Sequence, residues 1–378
     1  MRCIKSNFIL SSFIWLVITN FSFASEQMKE SYYLDLTPIK AFSNKNYISI
    51  IKSSDPNILL ATNGSTLYRS YDRAETWKDI KWVTNHGWWQ QIVSSPKDSH
   101  EFAAVNNDRL LKSFDDGEHW EQVKTSCPLV IKDKQNHKIT SIISYLGKRN
   151  RLAFNSHSNG EGLFLSEDGG LTCHETNLKG NYWQITSSEG SNHIFAINSW
   201  DGVMARSDNG GELWRTLNFK GAGVPLMLAF PFKRYHLNNA IYFTMINRDF
   251  KYGNSSLISS YDGGETWSRL KTDSVQPLTI FPFHSYLSSL GFIAWDVKSN
   301  FHVLKKVRGK EEFKKMPLKF ISESGEPVSL TNFRGFRFTA INTQHTEGIL
   351  LLVLHDNPDA IDGNGYHYFK YRLRRSVT

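Results

Sequence analysis

An eight-residue segment recurs five times along this chain, and its repetition constrains the fold more than any other feature of the sequence. The clearest copy, Ser260 to Trp267, has the pattern Ser-x-Asp-x-Gly-x-Thr-Trp. We call the copies boxes 1 to 5, and they span residues 70–77, 113–120, 166–173, 207–214 and 260–267. Successive boxes begin 43, 53, 41 and 53 residues apart. A repeat of about 20 to 50 residues with turn-forming residues in each copy indicates a repeat architecture.

The segments between the boxes predict strands. Short apolar or alternating runs are separated by clusters of Ser, Asp, Pro, Asn and Gly, so each unit reads as three strands, a box as a turn, and a fourth strand. Two further units, within residues 287–307 and 337–372, keep this rhythm without a box. Seven such units predict an all-β fold, a seven-bladed β-propeller with four-stranded antiparallel blades, as one domain of residues 25–378. The remaining strand, Tyr32 to Leu36, is expected to supply the outer strand of the last unit and close the ring.

Residues 1–24 have the pattern of a cleavable export signal. Arg2 and Lys5 precede an apolar run from Phe8 to Ile18, and small residues at the end of the segment predict cleavage after Ala24. The run is shorter than the about 20 apolar residues that a membrane span needs. We therefore expect an exported protein, periplasmic or secreted, with no membrane span.

Two cysteines, Cys127 and Cys173, remain after removal of this segment. In an oxidising compartment an even number permits one disulfide, and neighbouring repeats would bring these two together. Two buried free thiols are an equal alternative, because unpaired cysteine packs as a small apolar residue.

The formal net charge of +8 is modest for 378 residues. It does not indicate nucleic-acid binding, since nucleic-acid readers concentrate their charge in one patch or helix. The densest basic stretches are residues 305–310 and 370–375. In the second, alternation places Lys370, Arg372 and Arg374 on one face of a strand, which favours a charged outer strand protected against edge pairing over a lipid or polyanion site.

The residue types of the box suit a turn. An Asp side chain accepts hydrogen bonds from backbone amides a few residues on, glycine supplies a backbone conformation that other residues resist, and the final Trp packs its apolar face between strands. The third box residues are therefore expected to be structural, neither catalytic nor metal ligands. They are Asp72, Asp115, Asp168, Asn209 and Asp262.

The box resembles the Asp-box, or bacterial neuraminidase repeat, of a propeller superfamily that includes sialidases, xyloglucan-cleaving glycosidases, sortilin-type receptors and the photosystem II assembly factor. The segment Asp55 to Ala61 also resembles the usual lead-in of such blades. The resemblance implies that the boxes lie on the outer rim of one face. Ligands would then bind near the axis of the opposite face, which we call the loop face, on the loops between second and third strands and between blades.

The resemblance to sialidases does not extend to their catalytic residues. The family's first arginine lies in an Arg-Ile-Pro phrase at the start of the first blade, and this chain has Tyr47 to Ile50 there. A sialidase holds its substrate carboxylate with three arginines, and here only Arg334 and Arg337 are two arginines close together in sequence near an inner strand. Other propeller glycosidases use two carboxylates, but no spacing selects a pair among the loop acids, and catalytic residues stay unassigned. These acids are Asp108, Asp133, Asp201, Asp249, Asp356, Asp359 and Asp362.

Aromatic and charged residues in predicted loops are the stronger signal, because Trp and Tyr offer large rigid contact areas with one polar handle. Strand alternation directs one of the adjacent Trp88 and Trp89 into the core. The candidate ligand-binding residues are Trp88, Trp89, Trp200, Asp201, Arg248, Asp249 and Tyr252.

No pattern in the chain predicts a metal or a cofactor. Zinc-binding His and Cys spacings and phosphate-binding Gly-rich loops are absent. The acidic stretch of residues 356–365 lacks the regular carboxylate order of a calcium loop, which favours a plain loop. The sequence thus predicts an exported, non-enzymatic propeller that binds a protein or glycan partner on its loop face, and a glycoside hydrolase is the alternative.

Overall fold

The structure is a computed structural model. It describes residues 30–42, 49–53, 55–63, 66–80, 89–95, 98, 100–106, 108–132, 138–140, 142–148, 150–155, 162–180, 182, 184–187, 192–198, 202–217, 224–229, 240–246, 255–284, 290–328, 330, 333–340, 346–354 and 365–377.

The fold is a seven-bladed β-propeller, as the repeat rhythm predicts. Six four-stranded antiparallel sheets, blades 1 to 6, follow one another along the chain. The strands of blade 1 are Ser49–Lys52, Leu59–Thr62, Leu67–Ser70 and Lys78–Ile80. Those of blade 2 are Trp89–Ser94, Phe102–Asn106, Arg109–Ser113 and Glu121–Val123. Those of blade 3 are Ile142–Tyr145, Leu152–Asn155, Leu163–Ser166 and His174–Glu175.

The next three blades repeat this plan. The strands of blade 4 are Gln184–Ser187, Ile194–Asn198, Val203–Ser207 and Arg215–Leu217. Those of blade 5 are Val224–Ala229, Ile241–Ile246, Ser255–Ser260 and Ser268–Arg269. Those of blade 6 are Pro277–His284, Leu290–Asp296, Phe301–Lys306 and Phe313–Met316. An extra hairpin, Val130–Lys132 with Lys138–Thr140, lies between blades 2 and 3. In the described ranges, helical structure is limited to a three-residue 3-10 turn, Lys40–Phe42.

Blade 7 contains both ends of the described chain. Its first three strands are Phe333–Ala340, Glu347–Leu354 and Gly365–Val377, and the N-terminal strand Glu30–Pro38 is the fourth. The N-terminal strand pairs antiparallel with the C-terminal one from Glu30 opposite Val377 to Pro38 opposite Phe369.

Two further strands extend blade 7. Leu318–Ser322 runs parallel to the N-terminal strand on its other side, and Pro327–Val328 pairs with Leu318–Ser322. The basic C-terminal strand is therefore an interior strand, and its interpretation as an outer edge strand was wrong. The alternation within it is observed, since Tyr371 and Leu373 are buried while Arg372 and Arg374 are exposed.

Burial decreases from the middle strands of a blade to its fourth strand. All residues of Leu59–Thr62, Phe102–Asn106 and Ile194–Asn198 are buried. A continuously apolar strand is covered on both faces, here by the two neighbouring blades. The fourth strands Lys78–Ile80 and Glu121–Val123 begin with two exposed residues each.

The hydrophobic core is divided among the interfaces between blades. Seven clusters of buried side chains are present in the described residues, one at each junction of adjacent blades around the ring. The cluster that joins blade 7 to blade 1 includes Leu351 and Tyr368 together with Leu59 and Tyr68. The ring is therefore closed by side-chain packing as well as by strand pairing.

Candidate functional site

The candidate ligand-binding residues of the loop face lie outside the described residues, apart from the backbone of Trp89. That backbone begins the first strand of blade 2 and pairs with Asn106. Among the loop acids the structure describes Asp108, which is exposed in the turn between the second and third strands of blade 2. The acidic stretch of residues 356–364 also lies outside the described part.

The five boxes form the same turn between the third and fourth strands of blades 1 to 5. In box 5, Ser260 Oγ donates to Asp262 Oδ1 at 2.7 Å and accepts the backbone N–H of Gly264 at 2.7 Å. Asp262 in turn accepts the backbone N–H of Thr266 at 2.9 Å and its hydroxyl at 2.6 Å. The short polar side chains thus hold the backbone donors that a tight turn leaves without ladder partners.

The other boxes reproduce this network with local substitutions. Asn209 accepts the Ser207 hydroxyl at 3.0 Å and the Leu213 N–H at 2.9 Å, so its amide oxygen replaces one carboxylate oxygen. In box 2 the His119 ring nitrogen lies 2.6 Å from Asp115 Oδ2, where other boxes have a threonine hydroxyl. The indole N–H of Trp214 donates to the carbonyl of Gly211 at 2.7 Å.

The hydrogen bonds of the box keep its aspartates ionised. Burial acts to raise the pKa of Asp168, but hydrogen bonds from Thr172 outweigh it and lower this pKa to about 2. For Asp262 the hydrogen bonds from Thr266 dominate and hold the pKa well below its usual value. A general acid needs a raised pKa, so these carboxylates suit a structural role.

Each box also contacts the preceding blade. The sixth residue of four boxes is a glutamate, and each pairs with a cationic or histidine side chain of that blade. Glu118 of box 2 lies 3.4 Å from Arg69, and Glu265 of box 5 lies 3.0 Å from Arg206. The other two pairs are Glu75 with Lys370 and Glu212 with His174.

Box 3 has Leu171 in place of this glutamate, and a covalent link occurs at the same junction. Cys173, the last residue of box 3, forms a disulfide with Cys127, which follows the fourth strand of blade 2. The backbone N–H of Ser126 also donates to the carbonyl of Leu171 at 2.9 Å. A disulfide and a backbone hydrogen bond thus connect blades 2 and 3, where the other four boxes pair a glutamate with a side chain of the preceding blade.

A polar groove of about 580 Å³ lies where blade 7 meets box 1. We call it the closure groove, because the N-terminal and C-terminal strands of the ring form one wall of it. It is lined by Asp35, Thr37, Asp72, Arg73, Glu75, Glu323, Glu347, Gly348, Lys370, Tyr371 and Arg372. An apolar pocket of about 450 Å³, lined in part by Leu36, Pro38 and Phe369, shares Glu323 with it.

The charges of the closure groove are largely paired with one another. Arg374 donates to Asp35 at 2.7 Å, Arg372 lies 2.9 Å from Glu347, and Lys370 pairs with Glu75. Hydrogen bonds from Thr76 outweigh burial and lower the pKa of Asp72. The ion pairs of Glu75 with Lys370 and of Glu347 with Arg73 thus join blade 7 to box 1 across the groove.

The closure groove was missed by sequence reasoning. Its walls come from the two ends of the chain, and the alternating cations of residues 370–374 were the available signal. The described residues contain no group of three or more His, Cys, Asp or Glu side chains that could hold a metal ion. Within the same ranges, no helix has the length and hydrophobicity of a membrane span.

Comparisons with known proteins show the fold. No protein-family model matches the chain, and no curated protein sequence matches it. Among solved structures, a xyloglucanase of glycoside hydrolase family 74 from Xanthomonas campestris is similar, with a TM-score of 0.51 and 13% identity over 82% of this chain. This chain spans 50% of that enzyme.

Two structures of the protein YCF48 are also similar. One, bound to a D1 peptide, has a TM-score of 0.50 and 13% identity, and the match covers 92% of this chain and 94% of that one. The other, from Cyanidioschyzon merolae, has a TM-score of 0.53 and 12% identity over 92% of this chain and 97% of that one. At these identities the likeness concerns the propeller fold alone.

Proposed function

We propose that this chain is a non-enzymatic binding propeller that holds a protein or glycan partner on its loop face. The observation that carries the proposal is the extent of the structural matches. The chain corresponds nearly end to end to the YCF48 structures, one of which is bound to a peptide, whereas it spans half of the xyloglucanase.

Within this proposal, the candidate contact residues are the aromatic and charged side chains of the loop-face segments. Trp200 with Asp201 and Arg248 with Asp249 stand in predicted loops of blades 4 and 5. Binding surfaces concentrate their energy in a few aromatic and arginine side chains. These four residues are therefore the first to replace.

The test uses two double variants, Trp200→Ala with Asp201→Ala, and Arg248→Ala with Asp249→Ala. The matched control is Lys78→Ala with Asp79→Ala on the exposed fourth strand of blade 1. Crosslinking followed by quantitative recovery of partners from the native compartment should give one enriched partner with wild type and control, and a loss of at least roughly tenfold with the loop-face variants. Equal recovery with all four proteins would refute the proposal.

A glycoside hydrolase remains the second candidate, because the xyloglucanase and a second family 74 enzyme with a TM-score of 0.55 share the fold. Incubation of the purified protein with a panel of soluble glycans tests it. Release of reducing sugar that Asp201→Asn or Asp249→Asn abolishes would replace the binding proposal by the enzymatic one.

Export is part of the same proposal. The signal-like pattern of residues 1–24 supports it, and so does the disulfide between Cys127 and Cys173, since such bonds persist in oxidising compartments. N-terminal sequencing of the mature protein should begin at Ser25, and a mature protein that still begins at Met1 would contradict export by cleavage.

A further inference from the structure

The large apolar side chains that are most exposed in the described residues all belong to the boxes. There are five of them, one in each box, and their exposed fractions run from 37% for Tyr261 to 65% for Leu213. The other three are Tyr71, Phe114 and Leu171. Scattered exposed apolar residues are ordinary on a protein surface, but here every one lies in a box, in the second position of boxes 1, 2 and 5, the sixth of box 3 and the seventh of box 4.

These side chains share one face of the ring. Every box joins the third strand of its blade to the fourth, so the boxes of blades 1 to 5 lie at the same end of the propeller. The ion pair of Arg69 with Glu118 and the disulfide of Cys127 with Cys173 tie successive boxes to the blade before them. We call this row of boxes on blades 1 to 5 the box arc.

The box arc is acidic although the whole chain is basic. The five boxes contain eleven acidic residues and one arginine, in a chain of net charge +8. Five lysine or arginine side chains close to the boxes pair with these acids, which leaves the arc with an excess of negative charge. The cations are Arg69, Arg151, Arg206, Arg215 and Lys370.

The box-free turn of blade 6 provides the contrast. Residues 307–312 connect its third and fourth strands, and this described turn has no large exposed apolar side chain. Its two cations, Arg308 and Lys310, are matched by two acids, Glu311 and Glu312, so the turn is neutral. An excess of acidic residues together with an exposed large apolar side chain thus occurs in the boxed turns and not in this one. The combination marks a surface distinct from the loop face.

We propose that the box arc is a second docking surface, for a partner protein whose own surface is basic and carries apolar side chains. Charge complementarity selects this partner, because an acidic arc repels anionic lipid and nucleic acid and attracts Lys and Arg side chains. Apolar contacts supply the rest, as the centre of a protein interface is depleted of charge and rich in aromatic residues. The proposal is independent of what binds the loop face.

The rings of the arc are already positioned for such contacts. The guanidinium of Arg69 lies 4.5 Å from the ring centre of Tyr71, and the ammonium of Lys306 lies 4.6 Å from that of Tyr261. Cation–π contacts of this kind hold a ring in one orientation. A partner therefore meets side chains whose conformational entropy is already reduced, which lowers the cost of binding.

The test measures binding of three synthetic 20-residue peptides to the full chain by fluorescence anisotropy at low salt. One contains Lys and Leu, the second Lys and Ser, and the third Glu and Leu. The altered protein is the triple variant Phe114→Ser, Leu171→Ser, Leu213→Ser, which removes the apolar side chains of three successive blades. Its control is Lys315→Ser on the exposed outer strand of blade 6, and thermal melting verifies that each protein is folded.

The proposal expects the Lys and Leu peptide to bind wild type and control most tightly, with weaker binding at higher salt. The triple variant should raise its Kd by roughly tenfold, the equivalent of about 0.5 kcal/mol for each lost side chain. Three results would overturn the proposal: equal binding of the Lys and Ser peptide, an unchanged Kd in the triple variant, or tighter binding of the Glu and Leu peptide. If sedimentation shows a wild-type dimer that dissociates in the triple variant, the box arc binds a second copy of the chain instead. If wild type binds zwitterionic vesicles and the triple variant does not, the box arc binds a lipid surface instead.

Discussion

Replacement of Gly264 by alanine isolates the backbone requirement of a box. Gly264 has a φ of 92°, and a Cβ atom there would lie 2.9 Å from Cε1 of Phe195 and 3.1 Å from Cζ2 of Trp267. Phe195 belongs to the buried second strand of blade 4 and is 1% exposed, so it has little room to move. A left-handed conformation costs alanine about 1 to 2 kcal/mol, and overpacking of a filled core costs about 1 to 3 kcal/mol.

A small gain opposes these losses. Alanine restricts the unfolded chain more than glycine does, which stabilises the folded state by about 0.4 to 1 kcal/mol. The free energy of unfolding of Gly264→Ala should therefore be lower than that of wild type by about 1 to 4.5 kcal/mol. Urea unfolding followed by tryptophan fluorescence measures this difference from the midpoint and slope.

Box 1 offers the matched control, because it carries alanine at the equivalent position. Ala74 has a φ of 69° and is 2% exposed. Ala74→Gly relieves the left-handed strain but loses about 0.8 kcal/mol of methyl burial and adds chain entropy to the unfolded state. Its free energy of unfolding should stay within about 1 kcal/mol of wild type. If Gly264→Ala also falls within that limit, close approach and positive φ do not determine the residue at this position.

Three further predictions concern the disulfide and the titrating groups. Mass spectrometry without reductant should find no free thiol in the mature protein, and two free thiols would contradict the disulfide. The free energy of unfolding of the Cys127→Ser, Cys173→Ser variant should be lower than that of wild type by about 2 to 4 kcal/mol. Because the pKa of Asp168 is lowered to about 2, its contribution to stability is complete above the unfolded-state pKa of about 3.9 and is lost as the pH falls through about 2. Urea midpoints should therefore fall more steeply in wild type than in Asp168→Asn between about pH 4 and pH 2, and parallel curves would contradict this. The hydrogen bond to Asp116 raises the pKa of His100. The pair therefore stabilises the fold below about pH 6.5, and this stabilisation is lost as the pH rises through the higher folded-state pKa. An NMR titration should give a higher pKa for His100 in wild type than in Asp116→Asn.

The repeat rhythm was sufficient to predict the number and order of the blades. A box supplies its own local hydrogen bonds, as Ser260, Asp262 and Thr266 illustrate, so its turn can be read from eight residues. The boxless blades 6 and 7 were predicted from apolar runs, which mark strands that neighbouring blades cover on both faces. The closing strand around Tyr32 to Leu36 was predicted because it had no partner nearby in the sequence.

Other elements depend on contacts that local sequence does not encode. The first strand of blade 6, Pro277–His284, was not recognised, because its prolines argue against a strand. It lies at the edge of its sheet, where a missing backbone donor is tolerated. The extension of blade 7 by Leu318–Ser322 arises from parallel pairing with a strand almost 300 residues earlier.

The candidate sites divide in the same way. Predicted roles of the box residues rest on local chemistry that the structure describes in full. The closure groove required the meeting of the two chain ends, and no local pattern specifies such a meeting. The loop-face residues Trp200, Asp201, Arg248 and Asp249 stay predictions, to be tested by the variants proposed above.

The position of the N-terminal strand has a consequence for the order of folding. Asp35 pairs with Arg374, a residue 339 positions later in the chain, so the strand Glu30–Pro38 cannot find its antiparallel partner until almost the whole chain is available. Until then both edges of this strand are unpaired, and unpaired edges invite aggregation. Because contacts between residues far apart in the sequence form slowly, we expect pairing of this strand to follow formation of the blades whose strands are neighbours in the sequence.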